Sequence, residues 1–153
     1  MRVEYINPFV ESAVTVISEV IQEEIKRGQI SLKASAIPVS DVAVVIGLAG
    51  QVEGRILFDM GMETALDIVS KMNNEQINEF NELARATITE LGNMICGRAV
   101  TKLADMGFTF DVTPPAVFSG KKMVVSNTEI EALLVPLTMG DKCIEINVAL
   151  REK

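Results

Sequence analysis

The chain has 153 residues, 48% of them hydrophobic and 5% aromatic, with no Trp. That is enough apolar material for one folded core, which must be built from Val, Ile, Leu, Ala and Met. A net charge of −7, with only Lys26-Arg27 and Lys121-Lys122 adjacent, excludes the basic footprint of a nucleic-acid or anionic-membrane binder, and the absence of His excludes Ser-His and Cys-His dyads and imidazole-bound zinc.

Cys96 and Cys143 stand far apart and in no Cys-x-x-Cys spacing. Both are expected as buried small hydrophobes in a reducing compartment, not as a disulfide. Met1 to Pro8 has no apolar stretch of the signal-peptide kind, and no apolar run reaches the roughly 18 residues needed to span a membrane. A cytoplasmic, soluble protein is the expectation.

In chain order, Asn7-Pro8 reads as a helix start, since Asn caps and Pro fits the first helical position. Phe9, Ala13, Val16, Ile17, Val20, Ile21 and Ile25 then recur at helical period, with Gly28 as the stop after Lys26 and Arg27. From Ile30 to Asp59 the residues are strand-like, predicting two or three strands with a turn near Gly50-Gln51. The glycines there make no phosphate loop, because neither Gly-Lys-Ser/Thr nor Gly-x-Gly-x-x-Gly is present. Met62 to Met72 predicts a short helix, broken by Asn73-Asn74, and Gln76 to about Met106 a long one, ended by Gly107. The remainder reads as β, with a stop at Thr113-Pro114-Pro115 and runs at Met123–Val125, Ile130–Leu137 and Cys143–Leu150. Ser126-Asn127 and Gly140-Asp141 separate those runs, and the last two form an antiparallel hairpin. With no linker or low-complexity stretch, residues 1–153 are expected as a single α+β domain.

The long helix carries the candidate chemistry. On a wheel of about 100° per residue, Ile77, Phe80, Leu83, Ala84, Ile88, Leu91, Met94 and Ile95 share one side. Glu79, Glu82, Arg85, Ala86, Thr89, Asn93, Cys96 and Gly97 share the other, and Glu90 falls at the border. Glu90 and Asn93, at i and i+3, aim at a common spot. Gly92 and Gly97 each cost a helix about 1 kcal/mol relative to Ala. Either another surface approaches the backbone there, or the glycines let the helix pack on its own sheet. An amide that donates and accepts can hold a water in line with a phosphoryl group. Phosphoryl transfer asks mainly for positioning and charge compensation, so such an amide suffices if metal and phosphate arrive with a partner.

The stretch Asn81-Glu82-Leu83-Ala84 through Glu90-Leu91-Gly92-Asn93-Met94-Ile95-Cys96-Gly97-Arg98-Ala99 resembles the signature of the CheC/CheX/FliY chemotaxis phosphatases. In that signature an Asp or Ser is followed after three residues by Glu, after two more by Asn, and some twenty residues later by Pro. Glu90 and Asn93 match, and Pro114-Pro115 look like the downstream proline. Ile6-Asn7-Pro8-Phe9 and Val45-Ile46-Gly47-Leu48-Ala49-Gly50 resemble the CheX branch as well. The resemblance implies a CheC-like α+β fold, mainly antiparallel sheet packed against a long N-terminal helix and a central active-site helix. It implies hydrolysis of the phosphoaspartate of a CheY-type response regulator. Asn93 would orient the water and Glu90 would pair with the regulator's lysine. The chain would need no cofactor of its own, Mg²⁺ sitting on the regulator, and a homodimer joined through sheet edges is implied too.

Glu82, Ala86, Thr89 and Gly97 are the expected partner-binding positions around the pair. The chain departs from the signature at Ala86, which occupies the Asp/Ser position and can neither donate nor accept. A fainter echo, Thr15, Glu19 and Gln22, repeats the spacing in the first helix with Gln in place of Asn. The competing reading is a non-catalytic sink for phosphorylated regulator, or a flagellar-switch scaffold of related fold.

Overall fold

The computed structural model describes residues 3–33, 36–126 and 132–152. Three helices accompany ten strands among them: α1 Val3–Ile21, β1 Lys26–Arg27, β2 Ser31–Lys33, β3 Ala36–Pro38, β4 Val42–Gly50, β5 Val52–Met60, α2 Met62–Asn73, α3 Glu82–Asp105, β6 Phe110–Val112, β7 Ala116–Ser119, β8 Val124–Ser126, β9 Ala132–Met139 and β10 Lys142–Glu152. The α+β class expected from the sequence is borne out.

Alternation in the long strands decides the layout. Val42, Val44, Ile46 and Leu48 of β4 and Ile56, Phe58 and Met60 of β5 turn to one face, with Val135 and Leu137 of β9 and Ile144, Ile146, Val148 and Leu150 of β10. The helices cover that face with Ile6, Phe9, Ala13, Val16 and Ile17 of α1, Ile68 and Val69 of α2, and Ile88, Leu91, Ile95 and Leu103 of α3, all in one buried cluster. Eight strands form the sheet in the order β1-β9-β10-β5-β4-β6, with β2 following β1 along β9 and β7 joining β4 beside β6. The pairings are antiparallel. β3 and β8 make a separate two-stranded ribbon. The β4–β5 hairpin turns at Gly50, φ 98°, and the β9–β10 hairpin at Gly140, φ 60°, as expected from Gly50-Gln51 and Gly140-Asp141. The predicted strand start at Ile130 and the turn residue Asn127 lie outside the described residues.

Several boundaries differ from the sequence reading. α1 begins at Val3, ahead of Pro8, because the first turn is held by tertiary contact: Tyr5 meets Phe108 and Phe110 edge-on at centroid distances of 5.0 and 5.2 Å. Asn7 therefore caps nothing; its Oδ1 accepts from Arg27 at 3.3 Å. The helix ends at Ile21, where Gln22 takes a left-handed conformation, φ 55°. Lys26 and Arg27 belong to a strand, paired with Thr138 and Leu137. Gly28 serves close approach: a Cβ there would lie 2.6 Å from Pro136 Cγ. The Ile30–Asp59 region holds four strands, not two or three. Of the cysteines, Cys96 is buried as expected, but Cys143 is exposed; neither forms a disulfide.

α3 starts later than the pattern suggests. Asn81 accepts the Ala84 amide at 2.9 Å and caps the helix, so residues 76–80 precede it as an irregular segment. α2 is tied to it by Asn73, whose Nδ2 donates to Thr87 Oγ1 at 2.9 Å. Leu83, placed on the apolar side of the wheel, is exposed, whereas Cys96, placed on the polar side, is buried. The cause is that α3 is covered from two directions, by α1 and by the β6–β7 segment.

Candidate active site on helix α3

Helix α3 is held along both flanks and open to solvent between them. On one flank, Arg98 of α3 donates to Glu19 of α1 at 3.0 Å, and Lys102 pairs with Glu11 at 3.5 Å. On the other, Arg85 donates to Val117 O at 2.8 Å and to Ser119 Oγ at 2.9 Å, with its guanidinium 5.4 Å from the centre of the Phe80 ring. Between the flanks run Glu82, Ala86, Glu90, Asn93 and Gly97, all exposed, with Thr89 half-buried at the margin. The steps of four, four, three and four residues put them on one ridge. The pair and its expected contact positions therefore lie along one side of the helix, whereas Gly92 is buried beneath them.

Glu90 and Asn93 lie at the middle of the ridge. Among the described residues neither side chain has a hydrogen-bond or ion-pair partner. The amide is therefore free to donate and accept, and the carboxylate is free to take a cation. Thr89 donates its hydroxyl to Arg85 O at 2.9 Å, leaving it an acceptor only. Ala86 contributes a methyl group where the signature has an oxygen. Beyond its chain neighbours and the adjoining helix backbone, Gly97 has no atom within 4 Å of where a Cβ would stand, so the ridge is open there.

The two glycines have different causes. A Cβ on Gly92 would meet Val44 Cγ1 at 3.2 Å and Pro115 Cβ at 3.4 Å. Gly92 therefore answers to the helix's own packing on the sheet and on the β6–β7 segment, while Gly97 faces free space. Of Pro114-Pro115, which resemble the downstream proline of the signature, Pro115 closes against the turn that carries the pair. Arg85 was legible only as a polar-side residue; its partners lie 32 and 34 positions later, and no local pattern announces them. In the sequence Thr113 likewise shows only as part of a stop, yet its hydroxyl accepts the Gly47 amide at 2.8 Å.

The echo in α1 does not form a second pair. Thr15 and Glu19 are on the helix, but Gln22 is beyond its end in the left-handed conformation, and Glu19 is engaged by Arg98. Burial pushes the Cys96 thiol up to about 12, so this cysteine beside the ridge offers no thiolate nucleophile. No cluster of three or more His, Cys, Asp or Glu residues among the described residues is placed to hold a metal ion, and none of their helices is long and apolar enough to cross a membrane.

The chain as a whole has close counterparts. Residues 42–138 match the family model described as chemotaxis phosphatase CheX. The chain is 34% identical over 152 residues to the CheY-P phosphatase CheX of Thermotoga maritima, covering 99% of this chain and 98% of that one. Among solved structures, the CheX–CheY–BeF3–Mg²⁺ complex from Borrelia burgdorferi matches with TM-score 0.85 and 44% identity, over 99% of this chain and 100% of the other. A CheC-like superfamily protein from Shewanella sp. PV-4 matches with TM-score 0.90 and 29% identity over 99% of both chains.

Proposed function

The chain belongs to the chemotaxis phosphatase CheX family, and from that footing we propose that it hydrolyses the phosphoaspartate of a CheY-type response regulator. The observation that carries the reading onto this molecule is the uncommitted Glu90–Asn93 pair at the centre of the strip that α3 leaves open between its two flanks.

In this reading Asn93 accepts from and donates to one water, holding its oxygen in line with the phosphorus. Attack forms the new P–O bond as the bond to the aspartyl oxygen breaks. Inorganic phosphate and the free carboxylate result. Glu90 docks on the regulator's active-site lysine, which fixes the register of the two proteins. Mg²⁺ travels with the regulator and compensates phosphoryl charge there; the solved complex of the Borrelia burgdorferi relative contains CheX, CheY, BeF3 and Mg²⁺. Glu82, Ala86, Thr89 and Gly97 form the contact strip around the pair.

Residues 1–153 act as one phosphatase domain, working in the cytoplasm. Two copies join through sheet edges, a reading supported by the exposed Leu32 on β2 and Val112 on β6 at the two ends of the sheet order.

The test is phosphate release from phosphorylated regulator at substoichiometric protein. Many equivalents released per protein supports an enzyme. A single equivalent held, with no acceleration of decay, would make it a sink.

A further inference from the structure

Resting on the phosphatase reading, we infer that Gly92 and Pro115 are positioning residues that set the height of the Glu90–Asn93 turn above the sheet. Gly92 lies between the two functional residues and faces inward, towards Val44 on β4 and Pro115 on the β6–β7 segment. A Cβ there would stand 3.2 Å from Val44 Cγ1, 3.4 Å from Pro115 Cβ and 3.4 Å from Pro115 Cγ. The first is short of ordinary carbon–carbon contact, about 3.5–4.0 Å, and the others sit at its lower edge. The helix therefore rides as low as a side-chain-free residue permits.

Neither neighbour is placed to yield far. Pro115 has a fixed φ, and the segment carrying it is pinned on both sides. Before it, Thr113 exchanges two hydrogen bonds with Gly47, its amide donating to Gly47 O at 3.0 Å and its hydroxyl accepting the Gly47 amide at 2.8 Å. Gly47 in turn is tightly faced, since a Cβ would meet Thr113 Cγ2 at 3.0 Å and Oγ1 at 3.2 Å. After it, Arg85 clamps Val117 and Ser119. Val44 is β-branched, stiff at χ1 and packed in a paired strand. The slack beneath is a cavity of about 10 Å³, lined by Ile17, Val44, Leu91 and Ile95 among others. Relief of an added methyl thus comes partly from Val44 and partly from the helix rising by tenths of an ångström. Glu90 and Asn93, on the far side of the same turn, rise with it.

A hydrolytic water tolerates such a shift poorly, whereas docking of a whole protein surface absorbs it. Misplacement by 1 Å costs up to about 100-fold, so a smaller shift in Gly92→Ala should lower turnover at saturating regulator by roughly tenfold. Binding of the beryllofluoride-loaded regulator should stay within about twofold of wild type, because uniform binding is not what is lost. Gly92→Ala/Val44→Ala, which deletes the nearest contact, should recover most of the rate. Pro115→Gly, which removes the other wall, should lower turnover several-fold with binding likewise held. The measurement is multiple-turnover phosphate release from phosphorylated regulator, alongside affinity for the beryllofluoride form and thermal unfolding of each variant. Wild-type turnover in Gly92→Ala, or equal loss of rate and affinity without recovery in the double variant, would overturn the inference alone. Should Gly92→Ala fail to fold, Pro115→Gly decides by the same rate-against-affinity comparison. No turnover in the wild type would overturn the phosphatase reading and this inference with it.

Discussion

Arg98 donates to Glu19 at 3.0 Å, joining α3 to α1 and taking up the one carboxylate that imitates Glu90 in the first helix. Glu90 itself is left uncommitted. The two sites therefore differ in availability rather than in residue type, and the first prediction uses that difference.

Asn93→Ala should lower turnover by about 100-fold or more, because the amide is used only when water is being held for attack. Its far-UV circular dichroism and unfolding midpoint should match wild type, since Asn93 is exposed and partnerless. Glu90→Ala should raise the KM for phosphorylated regulator in addition to slowing the reaction. Glu19→Ala should change neither constant. Phosphate release under multiple turnover, run on all three variants, separates these outcomes; retained activity in Asn93→Ala would remove the water-holding role.

Ala86→Asp restores an oxygen at the one position where the chain departs from its family signature. One added hydrogen bond across the contact contributes about 1 kcal/mol, equivalent to roughly fivefold in Kd. Affinity for beryllofluoride-loaded regulator should tighten by that factor with kcat little altered. An unchanged Kd would mean that the position makes no contact in this protein.

Gly97→Ala should stabilise the fold by about 1 kcal/mol, the helix-propensity difference, because no atom beyond the helix's own backbone and the adjacent residues lies within 4 Å of the new methyl. The same methyl projects from the docking ridge, so regulator affinity should fall. Denaturant unfolding and binding isotherms should therefore move in opposite directions. Parallel movement would show that Gly97 faces no partner.

Asp59 lies buried on the sheet face turned away from the helices and accepts the Ser40 amide at 2.7 Å. Burial, opposed by that hydrogen bond, raises its pKa above the ordinary carboxylate value. A carboxyl with a raised folded-state pKa costs nothing below the unfolded value, about 3.9. Its cost grows as pH rises through the folded value and is complete above it. Asp59→Asn keeps the acceptor and removes the charge. It should be more stable than wild type at pH 7, with the advantage vanishing as pH falls below about 4. An advantage that persists at pH 3 would trace to packing instead of charge.

The parts of the fold legible in the sequence are those whose cause is local. The β4–β5 hairpin follows from two alternating runs around Gly50, and α2 from its own apolar spacing up to Asn73. β6 and β7 are three and four residues long and mostly exposed, so they leave no alternation to read; they exist because β4 has a free edge. The start of α1 depends on Tyr5 reaching Phe108 and Phe110, more than a hundred positions away. Within the site, the i, i+3 spacing of Glu90 and Asn93 was visible directly. What presses their turn into place was not, since Thr113 reaches Gly47, and Pro115 reaches Gly92, only after the sheet has formed.

The pair stands near the midpoint of a 24-residue helix, a rod about 36 Å long. Free backbone amides and the positive end of the helix dipole are confined to the first turn, around Glu82. A phosphoryl group presented at Asn93 meets hydrogen-bonded backbone whose dipoles lie along the surface, not towards it. α3 therefore gives the anion no cradle of its own and adds the negative charge of Glu90 beside it. Free phosphate and small phosphorylated compounds have little reason to stay on this ridge. Selectivity for a folded protein substrate then follows from what the helix withholds: only a partner that carries its own cations to the site brings a phosphate there in a state that can react.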